Sequence, residues 1–233
     1  MRTAMILAAG LGQRMRPLTD HLPKPMLCVG GKPLIHYHLE ALAANGIEHV
    51  IINLAYLGNK IREYAGNGKN FDLKVSYSQE AEPLETGGAL LHALPLLGDA
   101  PFILVNGDVW SDFAYSRLRH YNLATGEDAH LVLVANPEFH PSGDFAINAQ
   151  GLLVNDPILP KYTFAGISLI HPRLISNYPH QRPKFPLVEA LRFGIERQRI
   201  SAEIHSGQWS DVGTPERLQQ LDDELSTRKK SPV

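Results

Sequence analysis

Short apolar runs alternate along the first 135 residues with segments in which apolar positions recur every three or four residues. The runs are typical of buried strands, and the spacing of the other segments is that of one face of a helix. Strand and helix repeated in this order favour a mostly parallel sheet with helices on both faces. The predicted strands are Thr3–Ala8, His49–Asn53, Leu73–Ser78, Phe102–Val105 and His130–Ala135. The predicted helices run through Ile35–Ala43, Leu57–Tyr64, Thr86–Leu97 and Tyr115–Leu123.

From Pro137 onward the pattern changes to short segments that favour antiparallel hairpins. The segments predicted there are strands at Asp144–Asn148, Leu152–Val154, Tyr162–Ile170 and Ile200–His205, and helices at Pro186–Glu196 and Pro215–Ser226. No linker rich in Gly, Ser or Pro separates the two regions. We therefore expect one domain over residues 1–233, with a core at 1–135, a smaller α+β part at 136–226 and a frayed tail at 227–233.

Composition narrows the function classes. Apolar residues make up 44% of the chain and charged residues 20%, as in globular proteins. Lys and Arg number 22 against 24 Asp and Glu, a net charge of −2 that gives no basic surface for nucleic acid or membranes. No stretch has the ~18–20 apolar residues of a membrane span. Cys28 is the only cysteine, which rules out intrachain disulfides, and its apolar surroundings predict a packed, inert thiol. We expect a cytoplasmic protein; nothing indicates its oligomeric state.

The segment Leu7–Val29 carries the densest chemical signal. Gly10 and Gly12 follow the first strand, and glycines let backbone N–H groups approach an anion. Such a loop beyond the carboxyl end of a strand is where open α/β sheets bind ligands. A dinucleotide fingerprint would need a third glycine where Met15 stands, and no Gly-Lys-Ser/Thr of a Walker loop follows. The loop also holds three cations between four prolines: Arg14, Arg16 and Lys24 between Pro17, Pro23, Pro25 and Pro33.

This segment resembles the nucleotidyltransferases that make nucleoside-diphosphate sugars from sugar 1-phosphates. Their pattern is Leu-Ala-x-Gly-x-Gly-Thr-Arg-x-x-Pro-Leu-Thr, followed by Pro-Lys-Pro. The matching positions are Leu7, Ala8, Gly10, Gly12, Arg14, Pro17, Leu18, Thr19, Pro23, Lys24 and Pro25. The chain departs at Gln13, where the family usually has Thr, and at Ala9, which is often Gly. The resemblance implies a Rossmann-like three-layer α/β sandwich, with a nucleotide-binding core at 1–135 and a sugar-facing part at 136–226.

Two acidic residues are candidate metal ligands. Asp108 follows a predicted buried strand, and Asp211 precedes a helix that Thr214 can cap with Pro215 at its first position. Mg²⁺ favours few carboxylates plus phosphate oxygens. The resemblance implies that Asp108 and Asp211 hold Mg²⁺. It also implies catalytic roles for Arg14, on the leaving phosphates, and Lys24, between the sugar phosphate and the α-phosphate.

Nucleotide and sugar contacts are also implied by the resemblance. Glu80 matches the family's base-reading position, although a solvated acidic turn before a helix capped by Thr86 is an alternative. The nucleotide-binding residues implied are Leu7, Ala9, Gly10, Gly12, Gln13, Glu80, Pro83 and Gly88. Gly143 and Asp144 match sugar-contacting positions, whereas the family's usual acidic-Lys-Pro sugar motif is missing.

Within the family, the segments Leu84–Gly88, Asn106–Trp110 and Gly143–Phe145 are most similar to the bacterial branch that joins UTP to N-acetylmuramate 1-phosphate in cell-wall recycling. This implies a nucleoside triphosphate and a sugar 1-phosphate as the small-molecule partners. A guanylyltransferase acting on mannose 1-phosphate is an alternative. A catalytically idle nucleotide-sugar sensor is another, but such a protein is expected to lose Lys24 or a metal carboxylate.

Overall fold

The computed structural model describes residues 2–230 as a set of short strands and seven helices. The strands are β1 (Thr3–Leu7), β2 (Cys28–Val29), β3 (Lys32–Pro33), β4 (His49–Leu54), β5 (Lys74–Gln79), β6 (Phe102–Asn106), β7 (Val109–Ser111), β8 (Ala129–Val134), β9 (Phe145–Ile147), β10 (Leu153–Val154), β11 (Lys161–Ile170), β12 (Ile200–Ile204) and β13 (Trp209–Asp211). The helices are α1 (Leu34–Ala44), α2 (Gly58–Ala65), α3 (Glu85–Leu97), α4 (Ser116–His120), α5 (Arg173–Ser176), α6 (Leu187–Ile195) and α7 (Pro215–Lys230).

A nine-stranded sheet forms the centre of the molecule. Strands β6, β1, β4 and β5 lie side by side in parallel, and β12 is parallel to β8. The long strand β11 runs antiparallel between β6 and β8, and its first residues pair with β9, which in turn pairs with β10. The expected mostly parallel sheet with an antiparallel addition is confirmed. Strands from both 1–135 and 136–226 share this sheet.

Helices cover both faces of the sheet because its strands are apolar on both sides. On β1, Ala4 and Ile6 face one cluster, which also contains Ile35 of α1 and Ile61 of α2. Met5 points to the opposite face, where the cluster is completed by α3, α5 and α6. All of these strand residues are fully buried. This arrangement is the three-layer sandwich that the sequence predicts.

A third apolar cluster anchors the segment 8–29 outside the sheet. Met15 of that segment is fully buried with Val29 of β2, Leu34 of α1 and Val212, which follows β13. Leu221 brings α7 into the same cluster. The long loop is therefore held by packing from several sequence-distant elements.

Three details differ from the sequence predictions. The prediction that Cys28 is packed is wrong: Cys28 is exposed and the next residue, Val29, is buried, because successive side chains of β2 point to opposite faces. The predicted fraying does not apply to 227–230, which continue α7, and 231–233 lie outside the described residues. The short strands β2, β3, β7 and β13 are not predicted from the sequence. Within residues 2–230, no helix has the length and apolar character required to cross a membrane.

Candidate active site

A cavity of about 220 Å³ opens where β1, β4 and β6 end. Its walls include the backbone from Leu7 to Gly10, Asn53 at the end of β4 and Asn106 at the end of β6. The carboxyl ends of parallel strands are where open α/β sheets bind ligands. Of the residues predicted for the site, those that line this cavity are Leu7, Ala9, Gly10, Lys24, Glu80, Pro83 and Asp108.

The glycine loop is shaped by a tight turn next to this cavity. Gly12 has φ +62°, a left-handed conformation, and a Cβ there would lie 2.9 Å from Thr19 Cγ2. The Thr19 hydroxyl donates a hydrogen bond to the Gly12 carbonyl (2.8 Å), which locks the turn. Among the residues that the structure describes, no atom beyond the chain neighbours lies within 4 Å of a Cβ built on Gly10, so the backbone there is open to a ligand. Gln13 and Arg14 follow in an exposed 3₁₀ turn outside the cavity lining.

Lys24 supplies a buried positive charge at the cavity. It begins the 3₁₀ turn Lys24–Met26, directly after Pro23, and its side chain is only 10% exposed. Its ammonium Nζ donates a hydrogen bond to Asp108 Oδ2 at 2.5 Å. A buried ammonium is costly unless an anion pairs with it. Asp108 is the anion that pairs with it here.

Asp211 is brought to Asp108 by a small two-stranded sheet. Strands β7 and β13 pair antiparallel with Asp211 opposite Val109, and the N–H of Val212 donates to the Asp108 carbonyl (2.9 Å). Burial and, to a smaller extent, the Asp108 charge raise the pKa of Asp211. Arg217, Lys24 and Arg14 act in the opposite direction. The positive charge of Arg14, although exposed, is therefore close enough to Asp211 to act on its pKa.

The Asp211 carboxylate has one oxygen available for a cation. Its Oδ2 accepts a hydrogen bond from Arg217 Nη1 (3.3 Å), whereas Oδ1 is buried and has no hydrogen-bond partner in the structure. Within residues 2–230, no group of three or more His, Cys, Asp and Glu side chains is arranged to hold a metal. Two carboxylates that leave further positions to phosphate oxygens are the kind of site that Mg²⁺ prefers.

Glu80 lines the cavity, but its carboxylate is already engaged. The Ala8 N–H donates to Asn53 Oδ1 (2.7 Å), and Asn53 Nδ2 donates to Glu80 Oε1 (2.7 Å). The N–H of Leu84 donates to Glu80 Oε2 (3.1 Å). With Glu80 only 3% exposed, these bonds tie the ends of β1, β4 and β5 to the turn that walls the cavity. The alternative is wrong for Glu80, which is buried, and for the cap, because the Thr86 hydroxyl instead accepts a hydrogen bond from the Leu187 N–H. The other carboxylates of this turn, Glu82 and Glu85, are exposed, as that alternative expects.

Other residues predicted for substrate contacts lie outside the cavity lining. Gly88 lies within α3, where a Cβ would come within 2.3 Å of the Pro183 carbonyl, so helix packing requires a glycine there. The two Asp144 oxygens interact with His140 Nε2 (3.0 Å) and the Phe164 N–H (2.8 Å), which ties the loop at 140–144 to β11. Gly143 forms the positive-φ turn of that loop.

Sequence reasoning missed three residues at this site: Asn53, Asn106 and Arg217. A polar residue that ends a buried apolar run is a usable signal for Asn53 and Asn106, since both follow such runs in β4 and β6. No comparable pattern marks Arg217, which is one of several charged residues on α7.

A buried ammonium beside a glycine loop, at the carboxyl ends of parallel strands, suits a ligand that carries phosphate groups. The nucleotidyl transferase family model matches residues 3–145, and the chain belongs to this family. The chain is 41% identical over 226 residues to the N-acetylmuramate alpha-1-phosphate uridylyltransferase of Neisseria meningitidis, covering 93% of this chain and 95% of that protein.

Two further comparisons extend the likeness across the family. A mannose-1-phosphate guanyltransferase of Aspergillus oryzae is 29% identical, with 91% of this chain and 61% of that protein covered. A solved putative glucose-1-phosphate thymidylyltransferase from Bacillus anthracis shares the fold, with a TM-score of 0.86 at 19% identity over 97% of this chain and 96% of that one.

Proposed function

We propose that this protein transfers the uridylyl group of UTP to N-acetylmuramate 1-phosphate and releases pyrophosphate. The observation that carries this proposal is the buried Lys24 ammonium beside Asp108, at the mouth of a cavity bounded by a glycine loop. The two substrates bring roughly six negative charges together, so catalysis must be mainly positional and electrostatic. The substrate pair follows from the similarity to the uridylyltransferase. A reaction with UTP in peptidoglycan recycling implies a cytoplasmic location.

In the proposed reaction, an oxygen of the sugar phosphate attacks the α-phosphorus, and the bond between that phosphorus and the β-phosphate oxygen breaks. Lys24 turns from Asp108 to the sugar phosphate and α-phosphate, where its charge stabilises the transition state. Arg14, exposed at the rim, binds the β- and γ-phosphates that leave as pyrophosphate. No covalent intermediate on the protein is needed.

Asp108 and Asp211 are the residues proposed to hold Mg²⁺. The unpartnered Asp211 Oδ1 and the partly exposed Asp108 carboxylate supply the hard oxygen donors that this ion prefers. When bound, the ion neutralises phosphate charge and polarises the α-phosphorus.

The remaining nucleotide contacts are proposed on the cavity walls. The backbone of Leu7, Ala9 and Gly10 borders the nucleotide, with Gly12 and Gln13 in the turn that follows. Glu80 acts on the base indirectly, by fixing the turn that contains Pro83. Gly88 makes no contact with the nucleotide in this proposal, and its role is to let α3 pack closely against Pro183. Gly143 and Asp144 are proposed to shape the sugar-facing loop.

Pyrophosphate release, measured over a matrix of nucleoside triphosphates and sugar 1-phosphates with and without Mg²⁺, tests the function. UTP with N-acetylmuramate 1-phosphate should give the highest kcat/KM, and only with the metal. The highest value for GTP with mannose 1-phosphate would make the protein a guanylyltransferase. No release with any pair would favour a sensor, although such a protein would not need to retain Lys24, Asp108 and Asp211. The Lys32→Met variant, which changes a lysine of β3 that is paired with Glu40, is the control for Lys24→Met.

A further inference from the structure

Arg217, on α7, makes contacts that no role described above uses. Its Nη1 donates to Asp211 Oδ2 (3.3 Å), and its guanidinium carbon lies 3.9 Å from the centre of the Phe139 ring. The Arg217 side chain is 16% exposed. Phe139 is about half exposed and belongs to the loop between β8 and β9. The arginine therefore joins the loop between β8 and β9 to a carboxylate of the site.

Gly213 forms the other side of this arrangement. A Cβ on Gly213 would lie 1.9 Å from Arg217 Nη2, so the guanidinium occupies the space that any side chain would take. Gly213 does not have a positive φ, so its backbone conformation is open to any residue. The requirement for glycine comes from the close approach of Arg217 and of Asp211 Oδ1, which would lie 3.0 Å from the same Cβ. The guanidinium is thus held between the Phe139 ring and a bare stretch of backbone.

Because Arg217 occupies Oδ2, the two oxygens of Asp211 are not equivalent. Oδ1 remains buried and without a hydrogen-bond partner. The contact is a single hydrogen bond from Nη1, and stacking on Phe139 fixes the planar guanidinium that makes it, which the compact ammonium of a lysine would not reproduce. Carboxylates that bind metals are usually held by such outer partners, and removing the partner costs about 10–100-fold in metal affinity or activity.

We propose that Arg217 is a positioning residue that holds Asp211 with Oδ1 turned toward the divalent cation. The inference rests on the proposed function, since it concerns the metal site of that reaction. A residue that served only to neutralise the charge of Asp211 would be replaceable by lysine. A residue that repelled the cation would, when removed, let the cation bind more tightly. If Arg217 positions the carboxylate, lysine should not replace it, and its removal should weaken the binding of the cation.

The test is Mn²⁺ binding to the whole protein without substrates, measured by electron paramagnetic resonance and calorimetry. Arg217→Lys and Arg217→Gln should each weaken Mn²⁺ binding by about tenfold or more. Phe139→Leu removes the ring on which the guanidinium stacks and leaves Arg217 and Asp211 unchanged. It should weaken Mn²⁺ binding in the same direction, and it keeps the test valid if the Arg217 variants fold poorly. In the reaction assay, half-saturation by Mg²⁺ should move to higher concentration, and excess Mg²⁺ should restore most of the turnover. A purely structural defect would not be restored by metal.

Arg197→Gln is the matched control, because Arg197 also stacks on a phenylalanine ring (Phe193, 3.4 Å) but follows α6. It should bind Mn²⁺ as the wild type does. If Arg217→Lys and Phe139→Leu bind normally while Asp211→Asn does not, the inference is overturned and the metal site stands. Tighter binding by Arg217→Gln overturns it as well. If Asp211→Asn itself binds Mn²⁺ normally, the metal site of the proposed function fails.

Discussion

Acid should destabilise this protein through His38, a buried histidine next to the candidate site. His38 lies on α1, is 4% exposed, and has no hydrogen-bond partner at Nε2. Burial lowers the pKa of His38 from 6.5 to about 4, and the Asp108 charge and a hydrogen bond with the Val109 backbone only partly oppose this. The neutral ring is therefore the form that the folded protein accommodates.

The loss of stability in acid has a sign and a size set by the pKa of His38, because proton binding and unfolding are thermodynamically linked. Between pH 6.5 and about 4 the unfolded chain binds a proton at His38 that the folded chain does not, so stability falls as the pH falls through this window. Each pH unit within the window costs about 1.4 kcal/mol, which gives about 2 kcal/mol at pH 5. That is a large share of the roughly 5–15 kcal/mol that stabilises a typical domain.

Urea unfolding followed by circular dichroism at pH 7.5, 6.5, 5.5 and 5.0 measures this effect. Other groups also titrate over this range, so the informative quantity is the difference between wild type and His38→Gln at each pH. The wild type should lose about 2 kcal/mol more than the variant between pH 7.5 and 5.0. His21→Gln, at an exposed histidine, should follow the wild type. Parallel curves for wild type and His38→Gln would refute the reasoning.

Four further outcomes follow from the site. Lys24→Met should lower turnover by ~10²–10⁴ through loss of a preorganised charge, and near-normal pyrophosphate release would remove Lys24 from catalysis. The same variant, titrated with Mn²⁺ in the absence of nucleotide, should bind the ion at least as tightly as the wild type. Asp108→Asn should sharply weaken the Mg²⁺ dependence of turnover, and an unchanged titration would count against its role. Gly166→Ala should lower the melting temperature by a few degrees or more, because Gly166 has φ +72° and its Cβ would lie 2.8 Å from Asn106 Nδ2; an unchanged melting temperature would contradict this.

Much of the sheet could be predicted because strands buried on both faces appear in sequence as uninterrupted apolar runs. Phe102–Val105 is such a run, and it becomes β6 with one residue added. The position of Asp108 just beyond a strand end follows from that prediction. The same holds for the glycine loop after β1, so the location of the cavity could be inferred from local patterns alone.

The pairing of Asp211 with Asp108 could not be predicted from local patterns. Strands β7 and β13 are three residues each, too short for an alternation to be recognised, and their pairing joins distant parts of the chain. Only the resemblance to a family brought the two carboxylates together at the sequence level. The hydrogen bonds of Glu80 were missed for a related reason, since its partner Asn53 comes from another strand.

In the proposed reaction, the Lys24–Asp108 ion pair would let the same residues be stable without substrates and reactive with them. Burial, and to a smaller extent the charge of Asp108, raise the pKa of Asp211, whereas Lys24, with its Nζ 2.5 Å from Asp108 Oδ2, offsets part of the negative charge. A divalent cation held by Asp108 would compete with the ammonium for this carboxylate, and the ammonium would then need another anion because it is buried. The phosphates of the proposed substrates would be that anion. Lysine and cation would therefore compete for Asp108 in the free protein and cooperate once phosphates are bound. Removal of Lys24 should consequently impair turnover without weakening the binding of the cation to the free protein.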